Sequence, residues 1–144
     1  MKLYTIGFTR SSAESFFGRL ERAGIKRVID TRLRRDSQLA GFAKQQDLEF
    51  FLRTIPQINY EVSAILAPAG DMLDAYRKKK IKWPEYKNLY EGLLRSRQVE
   101  KLISPHDLDC SCLLCSEATP EHCHRRLAAE YLDRTWGPIE IIHL

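Results

Sequence analysis

A short stretch late in the chain holds the residue types that do chemistry. Cys115 and Glu117 follow a run of apolar residues, and Cys123, His124 and Arg125 open the next apolar-periodic segment. Thiols and imidazoles can act as nucleophiles and bases, and a carboxyl group can transfer a proton. The predicted catalytic residues are therefore Cys115, Glu117, Cys123 and His124.

A reactive thiol is the chemistry that this stretch favours. Cys123 is predicted in the first turns of a helix beside His124 and Arg125, surroundings that lower the pKa of a thiol. Cys115 is its nearest resolving partner, or is itself the nucleophile with Glu117 as acid or base. The spacing prefers neither assignment.

Zinc is the alternative, because sulfur, imidazole and carboxylate groups all suit that ion. The usual C-x2-4-C and H-x3-5-H spacings are absent. Strand alternation also places Cys110 and Cys112 on the opposite face from Cys115 and Glu117, which argues against a four-cysteine site. We therefore predict no metal or other cofactor, and interpret Cys110 and Cys112 as small buried hydrophobic residues.

The first 31 residues are typical of a strand–helix–strand unit. Apolar residues at 2–8 predict a strand, the sequence SSAE at 11–14 predicts a capping box, and residues 25–31 predict a second strand. Such a unit makes its two strands parallel. Strands also follow at 58–66, 110–114 and 139–144, with helices at 45–54, from 83, and at 120–135.

This pattern predicts one α/β domain over residues 1–144, with an open, mostly parallel sheet of about five strands and helices on both faces. Polar residues at the carboxyl ends of parallel strands meet at one edge, where ligands bind. Two helix N-termini, expected at Ser11 and Thr119, would open toward that edge and favour an anion. The predicted anion-binding residues are Thr9, Arg10, Ser11, Asp30, Arg32, Ser37 and Arg125.

Three of the predicted catalytic and anion-binding residues also have a purely structural interpretation. Asp30 and Arg32 can form a local salt bridge at a strand end, and His124 can be a buried histidine with satisfied hydrogen bonds. A basic run at 77–82, followed by Trp83, is either a solvated face or a phosphate-contacting patch beside an aromatic ring.

Composition narrows the classes of partner. The formal charge of +4 and the pI of about 8.9 favour an anionic small molecule or nucleic acid. No run is long enough to span a membrane and no signal peptide is recognisable, so we expect a cytoplasmic protein without a membrane partner.

Several motifs together resemble the family labelled domain of unknown function 488. They are Tyr4-Thr5-Ile6-Gly7, Ile29-Asp30-Thr31-Arg32, Cys115-Ser116-Glu117, Pro120 and Cys123-His124-Arg125. The chain departs from that family at Phe8 and Thr9, where histidine and serine are usual, at Asp36, where proline is common, and at residues 67–70, where a glycine pair is expected. The resemblance implies a fold and a site without an established reaction.

Three functions are consistent with these observations. The first is an enzyme acting on a nucleotide or a nucleic-acid-derived anionic substrate. The second is a non-catalytic nucleic-acid-binding module that uses Arg34, Arg35 and the segment 77–82. The third is a thiol redox or metal sensor built on Cys115 and Cys123.

Overall fold

The computed structural model describes residues 1–36 and 40–144, and within those ranges the chain forms five strands and seven α-helices. The strands are β1 (Lys2–Gly7), β2 (Arg27–Asp30), β3 (Asn59–Val62), β4 (Ser111–Cys115) and β5 (Glu140–His143). The helices are α1 (Ala13–Arg22), α2 (Gln45–Thr54), α3 (Gly70–Arg77), α4 (Trp83–Arg97), α5 (Val99–Leu102), α6 (Pro105–Leu108) and α7 (His124–Trp136). Gly41–Ala43 and Ala64–Leu66 form 3-10 turns.

All strand pairs are parallel, in the order β3-β2-β4-β1-β5, which confirms the predicted α/β fold. The middle strand, β4, is buried at every position, as expected for an apolar run with a helical layer on both sides. In the register, Gly7 lies beside Cys115 and Asp30 beside Leu114. The carboxyl ends of β1, β2 and β4 are therefore neighbours.

The helices are divided between the two faces of the sheet. Phe16 and Leu20 of α1 and Leu48 of α2 pack on one face, with Cys112 and Leu114 of β4. Side chains of α4 and α7 pack on the other face, against Leu3, Ile29 and Leu113. The chain leaving β4 thus turns to the opposite face from the chain leaving β1 or β2. That change of direction leaves a crevice at the end of β4.

The two helix starts that frame this edge differ from the prediction. The N-cap of α1 is Ser12, whose Oγ accepts from the Ser15 N–H at 3.1 Å. The third helical residue is then Ser15 and not Glu14, so the predicted capping box is wrong and only the serine cap forms. The helix expected near Thr119 begins instead at His124.

The late start of α7 has a local cause. The Cys123 N–H donates to the Pro120 carbonyl oxygen at 3.2 Å, which closes a turn before the helix, and Cys123 itself is extended (φ −134°, ψ 138°). Cys123 is therefore the N-cap of α7. Among residues 1–36 and 40–144, no helix has both the length and the apolar character needed to cross a bilayer.

Candidate active site

Three buried side chains meet where β4 ends and α7 begins. Cys115 is the last residue of β4, Cys123 caps α7 and His124 is its first residue. One ligand atom from each, the two sulfurs and a ring nitrogen, lie within 4.8 Å of one another. We call these three residues the thiol–imidazole cluster.

The imidazole of His124 is fixed by the end of β2. Its Nε2 lies 2.9 Å from the Thr31 carbonyl oxygen and 3.1 Å from Thr31 Oγ1, and that hydroxyl donates to the Leu114 carbonyl oxygen at 2.8 Å. Because a carbonyl oxygen only accepts, Nε2 carries a proton. The other nitrogen, Nδ1, faces Cys115 Sγ at 3.6 Å.

The pKa values of the two thiols shift in opposite directions, so the pair favours a single negative charge. A hydrogen bond from Cys123 holds the pKa of Cys115 well below its usual value, and His124 adds to this effect against the opposing effect of burial. Burial, followed by the hydrogen bond to Cys115, raises the pKa of Cys123 well above its usual value. Burial alone would lower the pKa of His124, but the Cys115 charge raises it overall. The prediction that its position lowers the pKa of Cys123 is therefore wrong.

Arg125 holds the loop that connects β4 to α7. Its side chain is only 1% exposed, and Nη1 donates to the Glu117 carbonyl oxygen at 2.6 Å and approaches Cys123 Sγ at 3.4 Å. The loop passes directly over Gly7, where a Cβ atom would lie 1.6 Å from the Glu117 oxygen. Arg125 thus positions Cys123 rather than lining the space above the cluster.

Asp30 and Arg32 form the salt bridge that was the structural alternative. Arg32 donates to Asp30 through Nε at 2.9 Å and Nη2 at 2.7 Å, and the Tyr60 hydroxyl donates to the same carboxylate at 2.6 Å. Asp30 is fully buried and Arg32 is 3% exposed. Within the described ranges, the buried Nη1 of Arg32 has no hydrogen-bond partner. The guanidinium lies over the Phe8 ring, 5.1 Å from its centroid.

Two spaces that share several lining residues lie at this edge. A cavity of about 50 Å³ is lined by the cluster together with Arg32, Tyr76, Tyr86, Arg77, Glu117 and His122, among others. A wider cleft of about 750 Å³ shares Arg32, Arg34, Arg77 and Glu117 with the cavity and extends to Phe8, Thr9, Arg35 and Asp36. A small reacting group fits the cavity, and the bulk of a ligand fits the cleft.

The structure brings together six of the predicted site residues, because they line the cavity or the cleft: Thr9, Arg32, Cys115, Glu117, Cys123 and His124. It does not bring Arg10 or Ser11 to either space: Arg10 is exposed with φ 62°, and Ser11 Oγ accepts from Arg19 at 2.8 Å. Asp30 lines neither space, because it is fully buried and paired with Arg32. Ser37 was also predicted to bind the anion, but it falls outside the described residues.

Sequence reasoning missed several side chains of this edge. Thr31 orients His124 and Tyr60 supports Asp30, while Tyr76 and His122 stand at the rim of the cavity. Thr31 lies between the two charged residues predicted at the end of β2, and this adjacency was a usable signal. Nothing in the alternating pattern of β3 distinguishes Tyr60 from an ordinary strand residue.

The other two cysteines lie away from the cluster. Cys112 is fully buried, as predicted, and burial raises its pKa above the usual value. Cys110 is partly exposed at a left-handed turn (φ 59°), so the prediction that it is buried is wrong.

Of the basic and aromatic residues singled out in the sequence, Arg34, Arg35 and Arg77 line the cleft, whereas Trp83 and the lysines at 78–80 do not. Arg34 pairs with exposed Asp74 at 3.0 Å, and the Trp83 ring packs 5.1 Å from His122 and 5.7 Å from Tyr76, measured between centroids. Arg77 lines both spaces. The lysines at 78–80 are exposed in the turn after α3.

Comparison with known proteins gives one result. The family model described as "Domain of unknown function DUF488" matches residues 12–132, a span that includes β2, β4 and the whole thiol–imidazole cluster. No curated protein and no solved structure matches the chain significantly. With most of its length covered by that model, the chain belongs to the DUF488 family.

Proposed function

We propose that this protein is an enzyme that binds a nucleotide, or a nucleotide-sized fragment of nucleic acid, and acts on it at the thiol–imidazole cluster. The observation that carries the proposal is the position of Arg32. Arg32 lines the same cavity as Cys115 and His124, and its buried Nη1 has no hydrogen-bond partner among residues 1–36 and 40–144. A buried guanidinium nitrogen without a partner is costly, and an oxyanion ligand would satisfy it.

The cleft supports the choice of an anionic substrate. Four arginines, Arg32, Arg34, Arg35 and Arg77, line it with two acidic residues, Asp36 and Glu117. Arg32 is held rigidly by its two bonds to Asp30, so it can bind an anion with little further loss of side-chain entropy. Phosphate groups are the anions that such a set of guanidinium groups recognises best.

The rim of the cavity supports a nucleobase. Tyr76 and His122 are aromatic side chains that line it and are not fully buried. Tyr76 stacks on Tyr86 with ring centroids 4.9 Å apart, which holds its ring in place. Aromatic rings that are fixed in this way offer a stacking surface to any base. In the proposed arrangement the phosphate lies in the cleft, the base lies at the rim, and the reacting group enters the cavity.

Glu117 is the proposed acid or base. Its side chain is exposed at the junction of the two spaces, while only its backbone carbonyl is used by Arg125. A carboxyl group at this point can exchange protons with solvent and reach a substrate in the cavity. Substitution of the Glu117 side chain therefore leaves the hydrogen bond from Arg125 to the Glu117 backbone carbonyl in place.

The test combines binding with turnover. Calorimetric titration with nucleoside monophosphates is expected to show binding that falls about tenfold in Arg77→Met, the loss of one charged contact. The control variant, Arg95→Met, removes an exposed charge of α4 that lines none of the described spaces. Incubation with natural and modified nucleotides, followed by mass spectrometry, is expected to show turnover that is lost in Glu117→Gln and Cys115→Ala and kept in Cys110→Ala. Absence of nucleotide binding, or full turnover by both site variants, would contradict the proposal.

A nucleic-acid-binding module without catalysis is the second candidate. It is favoured by the exposed lysines at 78–80, which continue from Arg77 beyond the cleft. Such a module would bind single-stranded oligonucleotides with an affinity that falls steeply as salt is added, and would turn over none of them. Oligonucleotide binding lost in a Lys78→Ala/Lys79→Ala/Lys80→Ala variant, with Glu117→Gln unaffected, would favour this candidate over the enzyme.

A further inference from the structure

We infer that the thiol–imidazole cluster is a zinc site with three protein ligands: Cys115 Sγ, Cys123 Sγ and His124 Nδ1. The inference deepens the proposed function and rests on it for the location of the substrate, whereas the metal site itself rests on the geometry of the cluster. The chain reaches this donor set by folding the end of β4 against the N-cap of α7. The sequence spacing between the two cysteines therefore does not follow the usual motifs.

The separation of the donor atoms fits the ion. Zn–S and Zn–N bonds of about 2.3 Å and about 2.0 Å in a tetrahedron hold sulfur and nitrogen about 3.5 Å apart. The observed distance from Cys115 Sγ to His124 Nδ1 is 3.6 Å, and all three donor atoms lie within 4.8 Å of one another. Two Zn–S bonds need the sulfurs about 3.8 Å apart, so the widest donor pair would have to close by up to about 1 Å when the ion binds.

His124 makes the hydrogen bond that a metal-binding histidine makes with the ring nitrogen that does not bind the metal. A zinc-bound imidazole typically donates its second N–H to a carbonyl or carboxylate, which fixes the ring and its tautomer. His124 does this through Nε2, which donates to the Thr31 carbonyl oxygen at 2.9 Å and leaves Nδ1 facing Cys115. The ring is also held edge-on by Tyr90, with centroids 5.4 Å apart.

Charge balance favours a divalent cation at this point. Two coordinating thiolates carry two negative charges, which Zn²⁺ neutralises, and a buried centre tolerates that state better than a bare thiolate pair. The Arg125 Nη1 group, 3.4 Å from Cys123 Sγ, donates to the sulfur as an outer partner. Deprotonation of both thiols on binding releases protons, as for other zinc–thiolate sites.

The fourth position would face the cavity. Cys115, Cys123 and His124 all line that space of about 50 Å³, and Glu117 and Arg32 line it as well. Three protein ligands with an open position are typical of catalytic zinc, whereas structural sites have four. An open position near a carboxyl group suits hydrolysis of the bound substrate with water as the co-reactant. Glu117 would take a proton from the water, the water oxygen would form a bond to the electrophilic atom of the substrate, the bond to the leaving group would break, and Glu117 would pass the proton to that group.

The experiment uses the full chain, purified under reducing conditions, freed of metal with a chelator and titrated with Zn²⁺ and with Co²⁺. We expect uptake of about one ion per chain and, with cobalt, the absorption of a thiolate–cobalt centre. Cys115→Ser, Cys123→Ser and His124→Gln are expected to weaken uptake more than about 100-fold, because loss of an outer partner alone costs about 10–100-fold. Cys110→Ser, which removes the partly exposed thiol of a turn, is the matched control.

A second measurement does not depend on the folding of any variant. Alkylation of the wild-type chain, followed by peptide mass spectrometry, is expected to show that Zn²⁺ protects Cys115 and Cys123 and leaves Cys110 unprotected. Failure of the folded wild-type chain to take up stoichiometric zinc or cobalt overturns the inference. The same holds for uptake that survives in both cysteine variants, or for ready formation of a Cys115–Cys123 disulfide in the presence of zinc.

The two proposals fail separately. Nucleotide binding and turnover by a chain that takes up no metal would reject zinc and keep the proposed function. Stoichiometric zinc in a chain that binds no nucleotide would keep the zinc site and reject the proposed function.

Discussion

A Cβ atom placed on Gly7 would lie 1.6 Å from the carbonyl oxygen of Glu117 and 2.9 Å from Nη1 of Arg125. The contact with backbone cannot be relieved by a side-chain rotation, so the loop after β4 must move. Gly7 is thus required for the close passage of this loop over the end of β1.

The first prediction is that Gly7→Ala destabilises the fold by about 2–3 kcal/mol, through overpacking and displacement of the loop. Gly92→Ala is the matched control, because Gly92 lies within α4 and its Cβ would meet nothing within 4 Å. That control should stabilise the protein by about 0.5–1 kcal/mol. Urea denaturation measures both. Equal effects of the two substitutions would show that the loop adapts freely.

A second prediction concerns the buried carboxylate at the end of β2. Asp30→Asn leaves the Arg32 guanidinium buried without its counter-charge and should destabilise the fold by about 3–5 kcal/mol. Asp74→Asn breaks an exposed ion pair with Arg34 and should change stability by about 1 kcal/mol or less. Chemical denaturation at neutral pH separates the two. A small loss in Asp30→Asn would mean that Arg32 is solvated by water.

The third prediction is a pH dependence set by Tyr60. Burial, with the hydrogen bond to Asp30, raises the pKa of Tyr60 above its usual value. A raised pKa in the folded state means that the contribution to stability is complete below the unfolded pKa of about 10 and is lost as the pH rises above it. Tyr60→Phe removes the hydrogen bond to the buried Asp30 carboxylate, so it should be less stable than wild type at pH 7, and the difference should shrink above about pH 10. Denaturation curves from pH 7 to 11 test this; parallel pH profiles would contradict it.

A fourth prediction distinguishes the two cysteines outside the cluster. In the native protein Cys110, which is partly exposed, should react with iodoacetamide far faster than Cys112, which is fully buried and has a raised pKa. Peptide mass spectrometry after timed labelling gives both rates. Labelling of Cys112 should require global unfolding, so denaturant must accelerate it. Comparable rates without denaturant would show that β4 opens locally.

The sequence predicted the sheet because strand and helix periodicities were clear and the chirality of parallel connections leaves few arrangements. It placed Cys115 and His124 at one edge for the same reason. Strand order stayed open, since apolar runs do not reveal which strands are neighbours.

Some details near the site depend on backbone hydrogen bonds and not on residue types. The helix predicted at 120–135 begins at His124, because a turn closed by the Cys123 N–H delays its start. The spacing rules that argue against zinc describe ligands on short local motifs, whereas Cys115, Cys123 and His124 meet through the packing of β4 against α7. Those rules therefore do not test a site of this kind. The hydrogen bond from His124 to the Thr31 backbone carbonyl could not be predicted, because every residue has a backbone carbonyl; the position of Thr31 between Asp30 and Arg32 was the usable signal.

The residues of the thiol–imidazole cluster are close to one another in the sequence, whereas Thr31, which holds the His124 ring in place, is far from them. Cys115 and His124 are nine positions apart, whereas His124 and Thr31 are separated by 93. A newly synthesised or denatured chain can therefore bring the two thiols and the imidazole together by closing a short loop. This happens long before the sheet forms and places Thr31 against the His124 ring. Oxidants and thiophilic ions encounter that reactive segment unprotected, so refolding yield should depend on a reductant in the buffer.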